Sequence, residues 1–290
     1  MKILLIGHSI IDHFIDEEEK VKPGGIYYSA LSLCSIKKPV DELFLLTSWN
    51  EKTFHLFEKV YSKTRIDFSN EVQVMPEVIL DISNSEDRKE VYKNISVSLS
   101  IEKLTNLYLF DGLLINMITG FDITIGQLQE LRAGYEGLIY FDLHTLSRGI
   151  DENMNRYFRP VPDVESWLKN IDILQCNESE LKTIIEYNNE IESAEKILRL
   201  GPKILLITKG AKGAAAYFLK NNLLKEINQN AVQVNCINKV RCGDIFGAVF
   251  FYFYISTNDI ELSLKKAVEA GSIAAQRNDF HLNPEFIFND

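Results

Sequence analysis

The sequence predicts an α/β domain built on a doubly wound, mostly parallel sheet flanked by helices. Three observations predict it. Short, almost wholly apolar runs recur along the chain, the pattern of strands covered on both faces. Segments of helical period stand between them, which makes βαβ units. No Pro/Gly/Ser-rich linker, repeat or low-complexity tract interrupts the 290 residues, a length compatible with one large α/β domain or two small ones.

The first strand is "KILLIG" at 2–7, followed by a helix at 26–35, a strand "LFLLTS" at 43–48 and a helix at 51–62. The stretch 71–98 alternates and contains no clear helix, so an antiparallel edge hairpin is expected there. Next come "LYLFDGLLIN" at 107–116, a helix at 123–133 and "GLIYFDL" at 137–143. The strand "IDILQCN" at 171–177 precedes helices at 178–186 and 190–200, and "KILLITKG" follows at 203–210. Two further β segments are expected at 213–219 and 231–237, before a last apolar helix from about Asp244. The acidic "DEEEK" at 16–20 reads as a solvated turn between two strands. Residues 12–25 and part of 71–98 are then small flap or edge β elements on one domain spanning 1–290.

Composition narrows the function classes. Hydrophobic residues make up 46% and charged residues 25%, as in a globular chain with a sizeable core. The net charge of -10 argues against nucleic acid or an anionic membrane as the main partner. Cys34, Cys176, Cys236 and Cys242 form no CxxC pair and have no zinc spacing with histidine, so free thiols in a reducing cytosol are expected. The apolar run near the N-terminus is too short for a signal-peptide core, and Ile245 to Ile255 is too short to span a membrane. A cytoplasmic location is expected.

Ligands of open parallel sheets bind beyond the carboxyl ends of the strands, so the polar residues there carry the chemistry. Asp12 follows the first strand; Gly24 and Gly25 precede a helix containing Ser29. Asp142, His144 and Arg148 follow "GLIYF"; Asn177 and Glu180 follow "DILQC"; Thr208, Gly210 and Gly213 follow "KILLI". Singly, each has an ordinary reading as a loop acid, turn glycine or helix cap. His8, just past the first strand, is a weaker candidate for a substrate contact, and Tyr27 and Tyr28 could line a pocket. There is no G-x-x-x-x-G-K-[ST] and no G-x-G-x-x-G after the first strand, which excludes a P-loop and argues against a nicotinamide site.

The best anion site is "RCGDIF", Arg241 to Phe246. A helix apolar all round lies in the interior, so its first N–H groups need partners, and a phosphate suits them. Gly243 lets backbone approach such a phosphate closely. Asp244 either caps this helix or accepts a proton from a hydroxyl attacking phosphorus.

In order, these pieces resemble the ribokinase-like, or PfkB-type, family of carbohydrate and nucleoside kinases. The stretch "NKVRCGDIF" matches the family signature D-T-T-G-A-G-D-A-F at Gly243, Asp244 and Phe246. G-x-x-x-x-D matches Gly7 to Asp12, and G-G-x-x-x-N matches Gly24 and Gly25, with Ser29 in place of asparagine. N-x-x-E matches Asn177 and Glu180, and T-x-G-x-x-G matches Thr208, Gly210 and Gly213. The short segment before Gly24 resembles compact, short-lid members.

The resemblance implies transfer of the γ-phosphoryl group of ATP, with Mg2+, to a hydroxyl of a sugar, polyol or nucleoside. It makes Asp244 the general base and the backbone from Arg241 through Cys242 and Gly243 the anion hole. Asn177 and Glu180 would organise magnesium and phosphates, Glu180 through water. Thr208, Gly210 and Gly213 would line the nucleotide site, with Ala270 and Gly271 near the adenine. Asp12, Gly24, Gly25, Ser29, Asp142 and Arg148 would contact the substrate. A homodimer is compatible with the family, although the lid-mediated form does not follow for a compact member.

Two departures stand out: Arg241 replaces the first glycine of G-A-G-D, and Asn238 replaces the aspartate that opens the signature. They motivate an alternative, a catalytically weakened relative that binds a sugar or nucleotide as a regulatory protein.

Overall fold

A computed structural model describes residues 1–15, 20–81, 89–186, 188–237 and 240–276. Asn238 and most of the acidic turn expected at 16–20 lie outside the described residues.

The first part of the chain forms β1 (Lys2–Ile6), β2 (Ser9–Phe14), β3 (Lys20–Gly25) and α1 (Ile26–Ile36). It continues through β4 (Glu42–Leu46), β5 (Ser48–Trp49), α2 (Phe54–Tyr61), β6 (Asn70–Glu71), β7 (Glu77–Asp81) and β8 (Lys89–Asn94). Then come β9 (Gly112–Asn116), α3 (Ile125–Ala133), β10 (Leu138–Asp142), β11 (Arg148–Ile150), β12 (Arg156–Phe158) and α4 (Val164–Leu168). The remainder holds β13 (Ile173–Asn177), α5 (Glu178–Ile184), α6 (Glu190–Leu200) and β14 (Ile204–Thr208). After them come β15 (Ala214–Lys220), β16 (Leu223–Gln229), α7 (Cys242–Thr257) and α8 (Ile260–Ala275).

Eight strands form the central sheet in the order β16-β15-β14-β13-β10-β9-β1-β4. From β4 to β14 every pairing is parallel; β14–β15 and β15–β16 are antiparallel. The apolar runs become the strands buried on both faces: Ile3 to Ile6 and Ile204 to Ile207 are almost fully excluded from solvent. One face packs on α1, α2, α7 and α8 through Ile26, Phe57, Phe250, Leu264 and their neighbours. The opposite face packs on α3 to α6 through Leu128, Trp167, Leu181 and Ile197.

The chain leaves β1 to build β4 on one side and returns to build β9 on the other. Strand order therefore reverses at β1, and the loops beyond the carboxyl ends of β1, β9, β10, β13 and β14 open onto one crevice.

A second sheet, in the order β3-β2-β7-β8, stands over that crevice. The elements at 12–25 and within 71–98 thus belong to one structure. The β7–β8 hairpin is antiparallel as expected, but β7 pairs with β2. It extends the small sheet instead of the edge of the main one.

The second β segment before the final helices is a correction. Residues 231–237 form no strand; the partner of β15 is β16, at Leu223–Gln229. Asn221 and Asn222 take φ of 54° and 61°, the two left-handed positions of a tight hairpin turn, so the second strand begins at 223, not at 231. Of "LYLFDGLLIN", only Gly112–Asn116 is strand, because Leu107–Leu109 closes a 3₁₀ turn.

Candidate active site

The site begins at α7. Its N-cap is Arg241, held at φ 75° with no side-chain capping bond, and Asp244 sits in the first turn. The first N–H groups of a helix have no partner within it, and the helix dipole makes this end positive. A first turn in the interior whose N-cap side chain makes no capping bond suits an anion.

Asp244 is 8% exposed and is gripped from the sheet. The Nδ2 of Asn116, the last residue of β9, donates to Asp244 Oδ1 at 2.7 Å. Gln175 of β13 donates from Nε2 to the Gly243 carbonyl at 3.2 Å, which ties the same turn to a second strand. Ser29, expected to contact substrate, is 1% exposed and donates its hydroxyl to the Asp244 carbonyl at 3.2 Å. It fastens α1 to α7.

Two cavities meet at this turn. The first, of about 50 Å³, is lined by Asp12, Gly25, Tyr28, His144, Arg156, Arg241 and Asp244, with Ile10, Val78 and Leu80 contributed by the small sheet. The second, of about 190 Å³, is lined by Glu90, Asp142, His144, Arg148, Gln175, Asn177, Glu180, Thr208, Arg241, Gly243 and Asp244. His144, Arg241 and Asp244 line both and form the wall between them.

Asp12 and Gly25 therefore fall in the first cavity, whereas Asp142 and Arg148 fall in the second with Asn177, Glu180 and Thr208. Gly24 lines neither, yet it makes room for Asp12: a Cβ there would stand 2.3 Å from Asp12 Oδ2. Gly25 has φ of 68°, and a Cβ on it would meet the His8 carbonyl at 2.4 Å, so only glycine turns β3 into α1 here. Gly210 and Gly213 shape the turn after β14, and Ala270 and Gly271 pack α8 near the start of α7. None of these four lines either cavity. His8 is wholly buried, its ring between Thr119 Oγ1 and the Val97 carbonyl at 2.8 and 3.1 Å, and it lines neither cavity.

The second cavity is rich in buried carboxyls. Asn177 and Glu180 form a capping box on α5: Asn177 Oδ1 accepts the Glu180 N–H at 2.8 Å, and Glu180 Oε2 accepts the Asn177 N–H at 2.9 Å. Burial pushes the Glu180 carboxyl up to about 7, and the Glu90 and Asp244 charges act in the same direction. Burial, then Glu180 and Asp244, hold Asp142 well above the usual carboxylate range. These acids crowd a space whose balancing groups are Arg148, Arg241 and the α7 N-terminus. Arg241 also lies over the Tyr28 ring, its guanidinium carbon 5.6 Å from the centroid. Burial raises the Cys242 thiol to about 12.

Four residues lining or bracing the cavities carry no motif: Asn116, Gln175, Glu90 and Arg156. Arg156 Nη1 is 2.5 Å from Glu90 Oε2, and its guanidinium lies over Tyr92 at 4.1 Å. Among the described residues no group of three His, Cys, Asp or Glu is placed to hold a metal directly, and no helix is long and apolar enough to cross a membrane. The oxygen donors Asp142, Glu180 and Asp244 still suit a hard cation held through water and phosphate, the usual manner of Mg2+.

The model for "pfkB family carbohydrate kinase" matches residues 147–283. A deoxyribokinase of Salmonella typhi is 25% identical over 134 residues, 43% of this chain and 42% of that protein, so the chain matches under half of this curated relative's length. In fold, the chain is similar to a pyrophosphate-dependent kinase of the ribokinase family, with a TM-score of 0.81, 16% identity and 99% of both chains covered. It is also similar to Thermotoga maritima ribokinase, with a TM-score of 0.75, 17% identity and 99% and 98% covered. Arabidopsis thaliana ribokinase, solved with ribose and ATP, gives a TM-score of 0.76 at 16% identity, with 99% and 97% covered. The pfkB family pattern thus lies over residues 147–283, a little under half of the chain, and the ribokinase fold runs along its whole length.

Proposed function

We propose that this chain is a kinase that transfers a phosphoryl group to a hydroxyl of a sugar, polyol or nucleoside. One observation carries the reading. Asp244 lines both cavities in the first turn of α7, so one carboxylate can reach an acceptor on one side and phosphorus on the other.

The acceptor sits in the first cavity against Asp12, and its hydroxyl donates to Asp244. As the new O–P bond forms, the hydroxyl proton passes to the carboxylate, and the bond to the bridging oxygen of the donor breaks. The first N–H groups of α7 and the Arg241 guanidinium face the charge carried by the phosphoryl oxygens. Magnesium, when bound, supplies charge neutralisation at the phosphates; Asn177 and Glu180 would hold it through water. Ile10, Val78 and Leu80 of the small sheet line the first cavity and so stand against the acceptor.

ATP is the donor implied by the family resemblance; one structural neighbour was solved with ribose and ATP and another with ATP and Mg2+. Pyrophosphate is a second reading. Arg148 and Arg241 both line a donor cavity of only about 190 Å³, and another structural neighbour is a pyrophosphate-dependent kinase bound to a pyrophosphate analogue and myo-inositol.

Turnover of D-ribose, 2-deoxy-D-ribose, myo-inositol and adenosine with ATP or pyrophosphate tests the proposal. Asp244→Asn is expected to lose roughly 10²–10⁴-fold in rate while retaining donor binding. Clear ligand binding without turnover of any acceptor would support the regulatory, sugar- or nucleotide-binding reading instead.

A further inference from the structure

The carboxylate of Asp244 is held by a residue that no motif marks. Asn116 ends β9, is 1% exposed, and donates through Nδ2 to Asp244 Oδ1 at 2.7 Å. Its Oδ1 is buried with no hydrogen-bond partner among the described residues. Leaving a buried polar atom unsatisfied costs about 1–3 kcal/mol. The rest of β9, Leu113 to Ile115, is apolar and almost wholly buried. Packing alone therefore gives no reason for an amide at this strand end.

We propose that Asn116 is a positioning residue for Asp244: its amide pins Oδ1 and thereby aims Oδ2 at the acceptor hydroxyl. This rests on the reading of Asp244 as the proton acceptor.

The side-chain chemistry suits the task. A carboxylate on the first turn of a helix can rotate about χ1 and χ2, whereas a strand end buried between β1 and β10 is rigid. A neutral amide donor holds the ionised carboxylate without supplying a charge that would suppress its basicity. In sheet register Asn116 stands beside Asp142, so a carboxylate here would add one more negative group to a crowded set. On the other flank a Cβ on Gly7 would stand 2.6 Å from the Asn116 carbonyl, so Gly7 lets the two strand ends close up.

The test is a cycle of Asn116→Ala, Asp244→Asn and the double variant, with kcat and KM measured on whichever of the four acceptors and two donors named above turns over best. Asn116→Ala is expected to lower kcat by ~10–100-fold, the cost of a misplaced reacting group, with acceptor KM within about three-fold. On the Asp244→Asn background the same change should cost nothing further, because the group being aimed is gone. An unchanged kcat, or a loss that adds in full to that of Asp244→Asn, overturns the proposal. Asn116→Ser, a smaller perturbation, carries the same comparison where the alanine variant does not fold. Wild-type turnover by Asp244→Asn itself would remove the proton-acceptor reading, a separate failure visible before Asn116 is touched.

Discussion

Arg156 and Glu90 form an ion pair at 2.5 Å, with side-chain exposures of 4% and 1%, that bolts the small sheet to the body of the protein. Glu90 lies on β8 and lines the second cavity; Arg156 lies on β12 and lines the first. One pair thus spans both. Removing one partner of such a pair leaves a buried charge uncompensated.

Glu90→Ala is accordingly expected to cost about 3–5 kcal/mol of stability, read from urea unfolding. Adding Arg156→Met should recover much of it, since no buried charge then remains. A single variant within ~1 kcal/mol of wild type would show that the pair does not hold the sheet down.

Glu180 makes stability depend on pH. Its folded carboxyl titrates at about 7 against an unfolded value of 4.5, so between those values the folded chain binds more protons. Stability therefore falls as pH rises through this window, and the full cost is present above about 7. Glu180→Gln retains an oxygen for the capping box and removes the titration. Denaturation at pH 4.5 and pH 8 should show the variant gaining on wild type only at the higher pH. An equal difference at both would contradict the assignment.

Gly24→Ala should act on Asp12. The added methyl would lie 2.3 Å from the carboxylate and displace it from the first cavity. The expected result is an acceptor KM raised by about 10-fold or more, with donor KM little changed. Equal acceptor KM in variant and wild type would mean that Asp12 does not bind the acceptor.

Arg241→Gly separates fold from function. The native residue holds φ of 75°, a strained value for any residue with a Cβ, so glycine relieves about 1 kcal/mol of backbone strain and offsets part of the cost of losing a buried guanidinium that balances the acids. Turnover should nevertheless fall, by an order of magnitude or more, because a guanidinium is lost from the wall between the cavities. A rise in turnover would instead mark the arginine as an obstacle to the phosphate.

The motif residues were legible because local backbone geometry decides what they do. Gly25 is read from a turn that only glycine can make, and Asn177 with Glu180 from a cap three residues long. Asp244 is read from a helix too apolar to lie anywhere but inside. The alternation of strand and helix was equally local, since segments of helical period separate the buried runs. The hairpin after β15 was missed because the exposed alternation of "LLKEINQ" at the sheet edge is weak beside the apolar runs.

The sequence by itself determined the α/β class, the buried strands and the polar residues beyond their carboxyl ends. Tertiary structure alone decided which of those residues share a cavity, and that Asp142 and Arg148 stand with Glu180 and not with Asp12. It also supplied Asn116 for Asp244 from 128 residues away, Gln175 for Gly243 from 68 and Arg156 for Glu90 from 66. The physical reason is separation along the chain. A cap or turn is specified within a few residues, whereas these side chains meet only when distant strands and helices close on one core.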